Sequence, residues 1–203
     1  MHKLTYLSLP GHAFVSRSCF RIGGIEFEDE IVEFPDFAAA KAATPAKFPL
    51  GQMPILTLPS GQVIAQSGAQ ARYAGRLANL YPTDPEEQLR CDEIFESCFE
   101  FMNLCPHQQF KDADEKKRCR EEFAANVVPV YFGFFANKLA AGGGGYFVGG
   151  RLTIADLFFY SAVKCVRSGF WDYVPPSIDV RWPAIGAFID TMESNPVFAP
   201  HKL

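Results

Sequence analysis

Apolar and polar positions alternate over short distances in the first eighty residues and with helical spacing beyond them. Lys3-Leu4-Thr5-Tyr6-Leu7 predicts a strand, broken by Ser8-Leu9-Pro10-Gly11. A helix is predicted over residues 12–22, with Gly23-Gly24 as its stop. Ile25-Glu26-Phe27-Glu28-Asp29-Glu30-Ile31 alternates as a second strand. A strand, helix and strand in this order require a right-handed crossover and a parallel pair. Residues 34–47 are alanine-rich and predict a link, irregular or helical. Ile55-Leu56-Thr57-Leu58 and Gln62-Val63-Ile64-Ala65 predict a hairpin about the turn Pro59-Ser60-Gly61. Ser67 is the expected N-cap of a helix that follows at once. The order is βαβ followed by ββα.

The segment Leu80-Tyr81-Pro82-Thr83 predicts a boundary, with one domain over residues 1–80 and an all-helical domain over residues 81–203. Asp84, Pro85 and Glu87 fit the N-cap, N1 and N3 positions of a helix opened by a capping box. Cys91, Phe95, Cys98, Met102 and Cys105 share one helical stripe, which predicts a core face. Glu93, Glu96, Glu100 and Asn103 lie opposite and predict a solvated face. A second long helix is predicted over residues 114–139, kinked at Pro129. Glycines from position 142 end it; no Gly-Lys-Ser/Thr follows, so they predict a turn rather than a phosphate loop. Thr153 and Asp156 form the clearest capping box, flanked by Leu152 and Leu157 as a hydrophobic staple. Trp182-Pro183 opens a last helix that ends near Asn195-Pro196.

Composition narrows the function. The net charge of −4 and pI near 5.6 argue against nucleic acid or an anionic membrane as partner. Twenty phenylalanines predict an aromatic core. The six cysteines form no Cys-x-x-Cys pair, so zinc and dithiol chemistry are not expected, and no metal is. The spacing of Cys91, Cys98 and Cys105 suits buried thiols, and the cytoplasm is the expected compartment. The amino end shows no signal-peptidase pattern, and no apolar run has the length of a membrane span.

The stretch Phe48 to Arg76 concentrates the recognisable chemistry. Met53-Pro54 marks a strand start or a cis turn, and Gln66-Ser67 stands at a helix N-terminus. There unpaired N–H groups and a hydroxyl favour a carboxylate. This order resembles the glutathione-binding half of cytosolic glutathione S-transferases. Lys3-Leu4-Thr5-Tyr6, Pro10-Gly11 before a helix, Phe27-Glu28-Asp29, Asp36-Phe37, Lys41 and Gln66-Ser67 continue the resemblance toward the sigma class, which includes the haematopoietic-type prostaglandin D synthases. The likeness implies an α/β thioredoxin-like domain, βαβ-ββα, followed by an all-α domain.

The resemblance also implies roles. Tyr6 is the catalytic residue and touches the glutathione sulfur. Gln66 and Ser67 take the γ-glutamyl carboxylate, Met53 pairs its backbone with the cysteinyl unit beside Pro54, and Lys41 takes the glycine carboxylate with Phe37 and Gln52 nearby. Glu100 from a partner subunit takes the ammonium, which implies a homodimer. The second substrate is expected to be a small apolar electrophile, in a pocket lined by Leu7, Gly11, His12, Met102, Cys105, His107 and Phe158.

A thiol with pKa about 8.5 is only about 3% ionised at pH 7. Lowering it by about two units takes about 2.7 kcal/mol, close to what one hydroxyl donating to an anion supplies, about 1.5–3 kcal/mol. Tyr6 is therefore about enough, with nearby dipoles adding the rest. His12, Phe37 and Gln52 depart from a common arginine, tryptophan and lysine of the sigma class. The expected function is glutathione conjugation in detoxification, with glutathione as co-substrate. The alternatives are a glutathione-dependent isomerase or peroxidase of the prostaglandin D synthase kind, and a ligand-binding protein of low activity.

Overall fold

Buried apolar residues at the middle of strand β1 (His2–Tyr6) organise the first part of the chain: Leu4 has no exposed surface, and neither have Ile55 and Leu56 of β3 (Ile55–Thr57). Each such side chain contributes about 1.5–3 kcal/mol by leaving water. The computed structural model describes residues 1–106, 110–143 and 145–203, in two compact units, Met1–Pro82 and Thr83–Leu203.

In the first unit β1 pairs in parallel with β2 (Phe27–Ile31), from His2 opposite Phe27 to Tyr6 opposite Ile31. It pairs antiparallel with β3, which pairs antiparallel with the short β4 (Val63–Ile64), so the order is β2-β1-β3-β4. Helix α1 (Phe14–Ile22) is strongly amphipathic and packs against α3 (Ser67–Leu77). The face of α3 offers Ala71, Ala74 and Gly75, small residues that let the two helices approach closely. Residues 34–43 form a helix, α2 (Phe34–Ala43), with Pro35 in its first turn and no buried residue. This is the βαβ-ββα unit the residue pattern predicts.

The second unit has helices and no strand among its described residues: α4 (Pro85–Leu104), α5 (Ala113–Glu122), α6 (Val128–Gly142), α7 (Ile154–Arg167) and α8 (Pro183–Ser194). Helix α7 is buried on all sides over residues 154–163, as expected of a central helix. Phe159 on α7 meets Phe135, Phe147 and Phe188 with ring centroids 4.5, 5.2 and 5.3 Å apart. Such aromatic pairs add about 0.5–1.5 kcal/mol each beyond burial.

Three local expectations change. The single kinked helix over residues 114–139 is instead two helices joined by a π turn, Phe123–Val127, across which Val128 N–H donates to Phe123 O. Pro129 lacks an N–H, and the wider turn places it in the first turn of α6, where that lack is harmless. The box at Asp84 is half formed. Asp84 accepts from Glu86 N–H and Glu87 N–H at 3.0 and 2.9 Å, but Glu87 pairs with Arg151 at 3.0 Å instead of reaching back. The N-cap of α3 is Gln66, and Ser67 is its first helical residue. The box at Thr153 forms in full. Asp156 accepts from Thr153 N–H at 2.8 Å, from the Thr153 hydroxyl at 2.7 Å and from Phe147 N–H at 3.0 Å.

Candidate functional site

Tyr6 is the last residue of β1, and beyond it the chain leaves the sheet. A 3₁₀ turn, Gly11–Ala13, then leads into α1. It aims His12 N–H at Tyr6 Oη, 3.2 Å away. Gly11 has φ +39°, and a Cβ there would lie 2.5 Å from Tyr6 Oη, so the turn closes on the hydroxyl only without a side chain.

Arg17, buried on α1, holds the intervening loop. Its Nε donates to both carboxylate oxygens of Asp29 at 2.9 and 3.1 Å, Nη1 to Leu9 O at 2.8 Å and Nη2 to Leu7 O at 2.8 Å. Its guanidinium carbon stands 5.7 Å from the centre of the Tyr6 ring. Burial raises the Tyr6 hydroxyl above the ordinary phenol range, against the opposing pull of His12 N–H and the Arg17 charge. The hydroxyl is therefore protonated at neutral pH. It accepts from His12 and keeps its own proton to donate to an anion.

The sheet extends this end of the unit. Thr5 donates to Glu30 Oε2 at 2.5 Å, and Lys47 pairs with the same oxygen, which ties the segment before Phe48 to β2. Lys41 Nζ lies 3.4 Å from Gly51 O and 4.5 Å from the Phe37 ring, and Phe37 meets Phe48 edge-on at 5.4 Å. Gln52 is exposed, the Met53–Pro54 bond is cis, and Pro54 is buried at the head of β3. Gln66 is exposed and has φ +71°, a region few residues other than glycine occupy and one associated with functional corners. Beyond it the first N–H groups of α3 lack intrahelical partners.

The structure thus groups Leu7, Gly11 and His12 around the exit of β1 beside Tyr6, and Phe37 and Lys41 beside the segment that carries Gln52, Met53 and Pro54. In the second unit Glu100 accepts from the Tyr131 hydroxyl at 2.6 Å. Burial first, then Glu100, pushes that phenol up to about 12. Met102 lies on the last turn of α4, and Cys105 caps that helix and is buried, its thiol pushed up to about 12 by burial. Phe158 packs on Phe95 and Phe99 with centroids 4.7 and 6.4 Å apart. His107 lies outside the described residues. Among the described residues no group of three His, Cys, Asp or Glu is placed to hold a metal, and no helix is long and apolar enough to cross a membrane.

Sequence reasoning missed Arg17. Its signal was present: a cation between Val15, Cys19 and Phe20 on the apolar face of α1 needs a buried anionic partner, and Asp29 is available on the neighbouring strand.

The profile described as "Glutathione S-transferase, N-terminal domain" matches residues 2–76, and "Glutathione S-transferase, C-terminal domain" matches residues 100–201. Glutathione S-transferase 3 of Caenorhabditis elegans is 34% identical over 161 residues, 77% of this chain and 75% of that protein. Hematopoietic prostaglandin D synthase of Gallus gallus is 31% identical over 198 residues, 98% of this chain and 93% of that protein. Among solved structures, prostaglandin synthase D of Nilaparvata lugens superposes with a TM-score of 0.82 at 26% identity, covering 98% of this chain and 96% of that one. Monomeric Na-GST-3, a glutathione S-transferase of the hookworm Necator americanus, gives 0.80 at 26% identity, covering 98% and 94%.

Proposed function

The chain belongs to the glutathione S-transferase family, and on that premise we propose that Tyr6 is the residue that turns bound glutathione into a nucleophile. The observation that carries this is the Tyr6 hydroxyl itself, held by His12 N–H and closed in by Gly11, protonated and with a proton to donate. The cysteinyl thiol releases its proton to water, and the sulfur anion left against the hydroxyl accepts a hydrogen bond from it and is stabilised relative to the thiol. The anion then attacks the electrophilic carbon of a small apolar substrate, its lone pair forms the carbon–sulfur bond, and the leaving group departs with its electron pair.

The glutathione site proposed around it follows the grouping described. Lys41 takes the glycine carboxylate with Phe37 packed beside its ammonium and Gln52 at the edge. Met53, before Pro54, offers its backbone to the cysteinyl unit. Gln66, Ser67 and the start of α3 take the γ-glutamyl carboxylate, where the helix end favours an anion. The match of Lys3-Leu4-Thr5-Tyr6 and Gln66-Ser67 supports a sigma-class enzyme, and the reading includes a cytoplasmic, detoxifying homodimer in which Glu100 of one subunit reaches the ammonium bound by the other.

Tyr6→Phe tests the central claim. Loss of a hydrogen bond to an anion, about 1.5–3 kcal/mol, lowers turnover about 10- to 150-fold at neutral pH. Glutathione affinity, measured by calorimetry, changes little, and the ultraviolet titration of the bound thiolate moves to higher pH by about one to two units. An unchanged rate would remove Tyr6 from the role of thiol activator. The likeness to prostaglandin D synthases favours one second reading, isomerisation of a prostaglandin endoperoxide at the same site, which product analysis with that substrate distinguishes from conjugation.

A further inference from the structure

We propose that Gln70 is a positioning residue for glutathione, setting the distance between the segment that faces the cysteinyl unit and the corner that faces the γ-glutamyl carboxylate. The inference rests on the glutathione site proposed above. Gln70 sits one turn into α3, its N–H bonded to Gln66 O at 3.1 Å, and it has no exposed surface. Its Nε2 donates to Pro54 O at 3.0 Å and to Ile64 O at 2.9 Å. Two carbonyls fix which end of the amide is nitrogen, since the reverse orientation would set oxygen against oxygen.

The place of these bonds gives them meaning. The β3–β4 ladder consists of Leu56 opposite Ile64 and Thr57 opposite Val63. Two steps further in the same register, past Ile55 and Ala65, would set Pro54 against Gln66. That pair cannot form as a ladder step, because Pro54 has no N–H and Gln66 has left the extended region at φ +71°. The sheet therefore stops where the site begins, and the carboxamide of Gln70 joins the two sides in its stead. One side chain links the head of β3, the end of β4 and the first turn of α3.

The link has a cost that an apolar residue would avoid. Gln70 Oε1 is buried with no hydrogen-bond partner among the described residues. Leucine or methionine would remove that orphaned oxygen but would also leave Pro54 O and Ile64 O without this donor. Of the two bonds that the amide does make, one ends on Pro54 of the proposed site and the other on Ile64, two residues before Gln66.

Gln70→Met keeps the length and removes both donors and the orphan. The expected result is a melting temperature lower by no more than about 5 °C, since the relieved oxygen offsets only part of the loss at the two carbonyls. Glutathione Kd and KM rise about ten-fold, while kcat at saturating glutathione and KM for a standard aryl halide electrophile change less than about two-fold. Gln70→Glu, which keeps the shape but can serve at most one of the two carbonyls, and only when protonated, also raises glutathione KM, and more so as pH rises. A folded Gln70→Met protein with parental glutathione affinity overturns the assignment, and so does a parallel fall in stability, kcat and both KM values. Glutathione failing to bind the parent chain in calorimetry overturns the site itself along with Gln70; parental binding with an unaffected variant overturns Gln70 alone.

Discussion

At the scale of single residues, the phenol of Tyr6 is set by neighbours that sequence reasoning weighs poorly. Gly11 predicts the sharpest effect. Gly11→Ala adds a methyl 2.5 Å from Tyr6 Oη and asks alanine to hold φ +39°, so either the hydroxyl or the turn moves. The backbone strain is about 1–2 kcal/mol. Turnover is expected to fall at least about ten-fold through the displaced hydroxyl, because small misplacements of a reacting group are costly. Steady-state kinetics beside a thermal melt check this; a variant that loses stability but keeps turnover would show that the turn yields and the phenol does not move. The roles proposed for Tyr6, Lys41 and Gln66-Ser67 rest on residue types and spacing that follow a pattern visible in the sequence. Arg17 and Gln70 were not legible there. Each acts through hydrogen bonds to backbone carbonyls that only the folded chain brings near, Leu7 and Leu9 for one, Pro54 and Ile64 for the other.

At the scale of elements, the same division between local and long-range causes holds. The strands and the boxed start of α7 were readable because pleat periodicity and capping involve residues a few positions apart. The residues of α2 read equally as helix or irregular link, because an alanine-rich run with no buried side chain has no periodicity to read. The π turn was missed because its position depends on packing as well as on Pro129, and Glu87 was misassigned because Arg151, its partner, lies far along the sequence. The full box at Thr153 carries a prediction. Asp156→Ala removes the acceptor of two buried N–H groups, and the loss of a cap plus an orphaned donor amounts to about 2–4 kcal/mol at pH 7. Burial, opposed by these hydrogen bonds, pushes the Asp156 carboxyl up to about 6 from 3.8. The sign follows directly. Between these values the folded chain holds a proton that the unfolded chain has lost, so this group's contribution is greatest below 3.8 and declines as pH rises through about 6. The cost of Asp156→Ala should therefore grow on going from pH 7 to pH 4, by about 2 kcal/mol. Urea denaturation of both proteins at the two pH values measures it, and a cost that shrinks on acidification would refute the raised carboxyl.

At the scale of the whole molecule, the open question is whether one chain makes a complete site. Glu100 is assigned to the ammonium of glutathione held by a partner subunit, yet within its own chain it already accepts a hydrogen bond from Tyr131. The two roles are compatible, because a carboxylate has about four lone-pair positions and a phenol occupies one. The bond also orients the carboxylate and gives it a neutral neighbour, since Tyr131 stays protonated with its pKa pushed up to about 12. Complementation between subunits decides the matter. Tyr6→Phe and Glu100→Ala homodimers should each be weakly active, because every site in either carries one lesion. In a mixed dimer one site carries both lesions and the other carries none. Random exchange in an equal mixture makes about half of the dimers mixed, with one intact site in each, so activity should recover to about one quarter of the parent value. Sedimentation and a tag on one variant establish that exchange has occurred. If mixed dimers form without recovery, or if the parent chain sediments as a monomer at assay concentration with full turnover, then Glu100 does not serve the partner's site and the ammonium must be held within one chain.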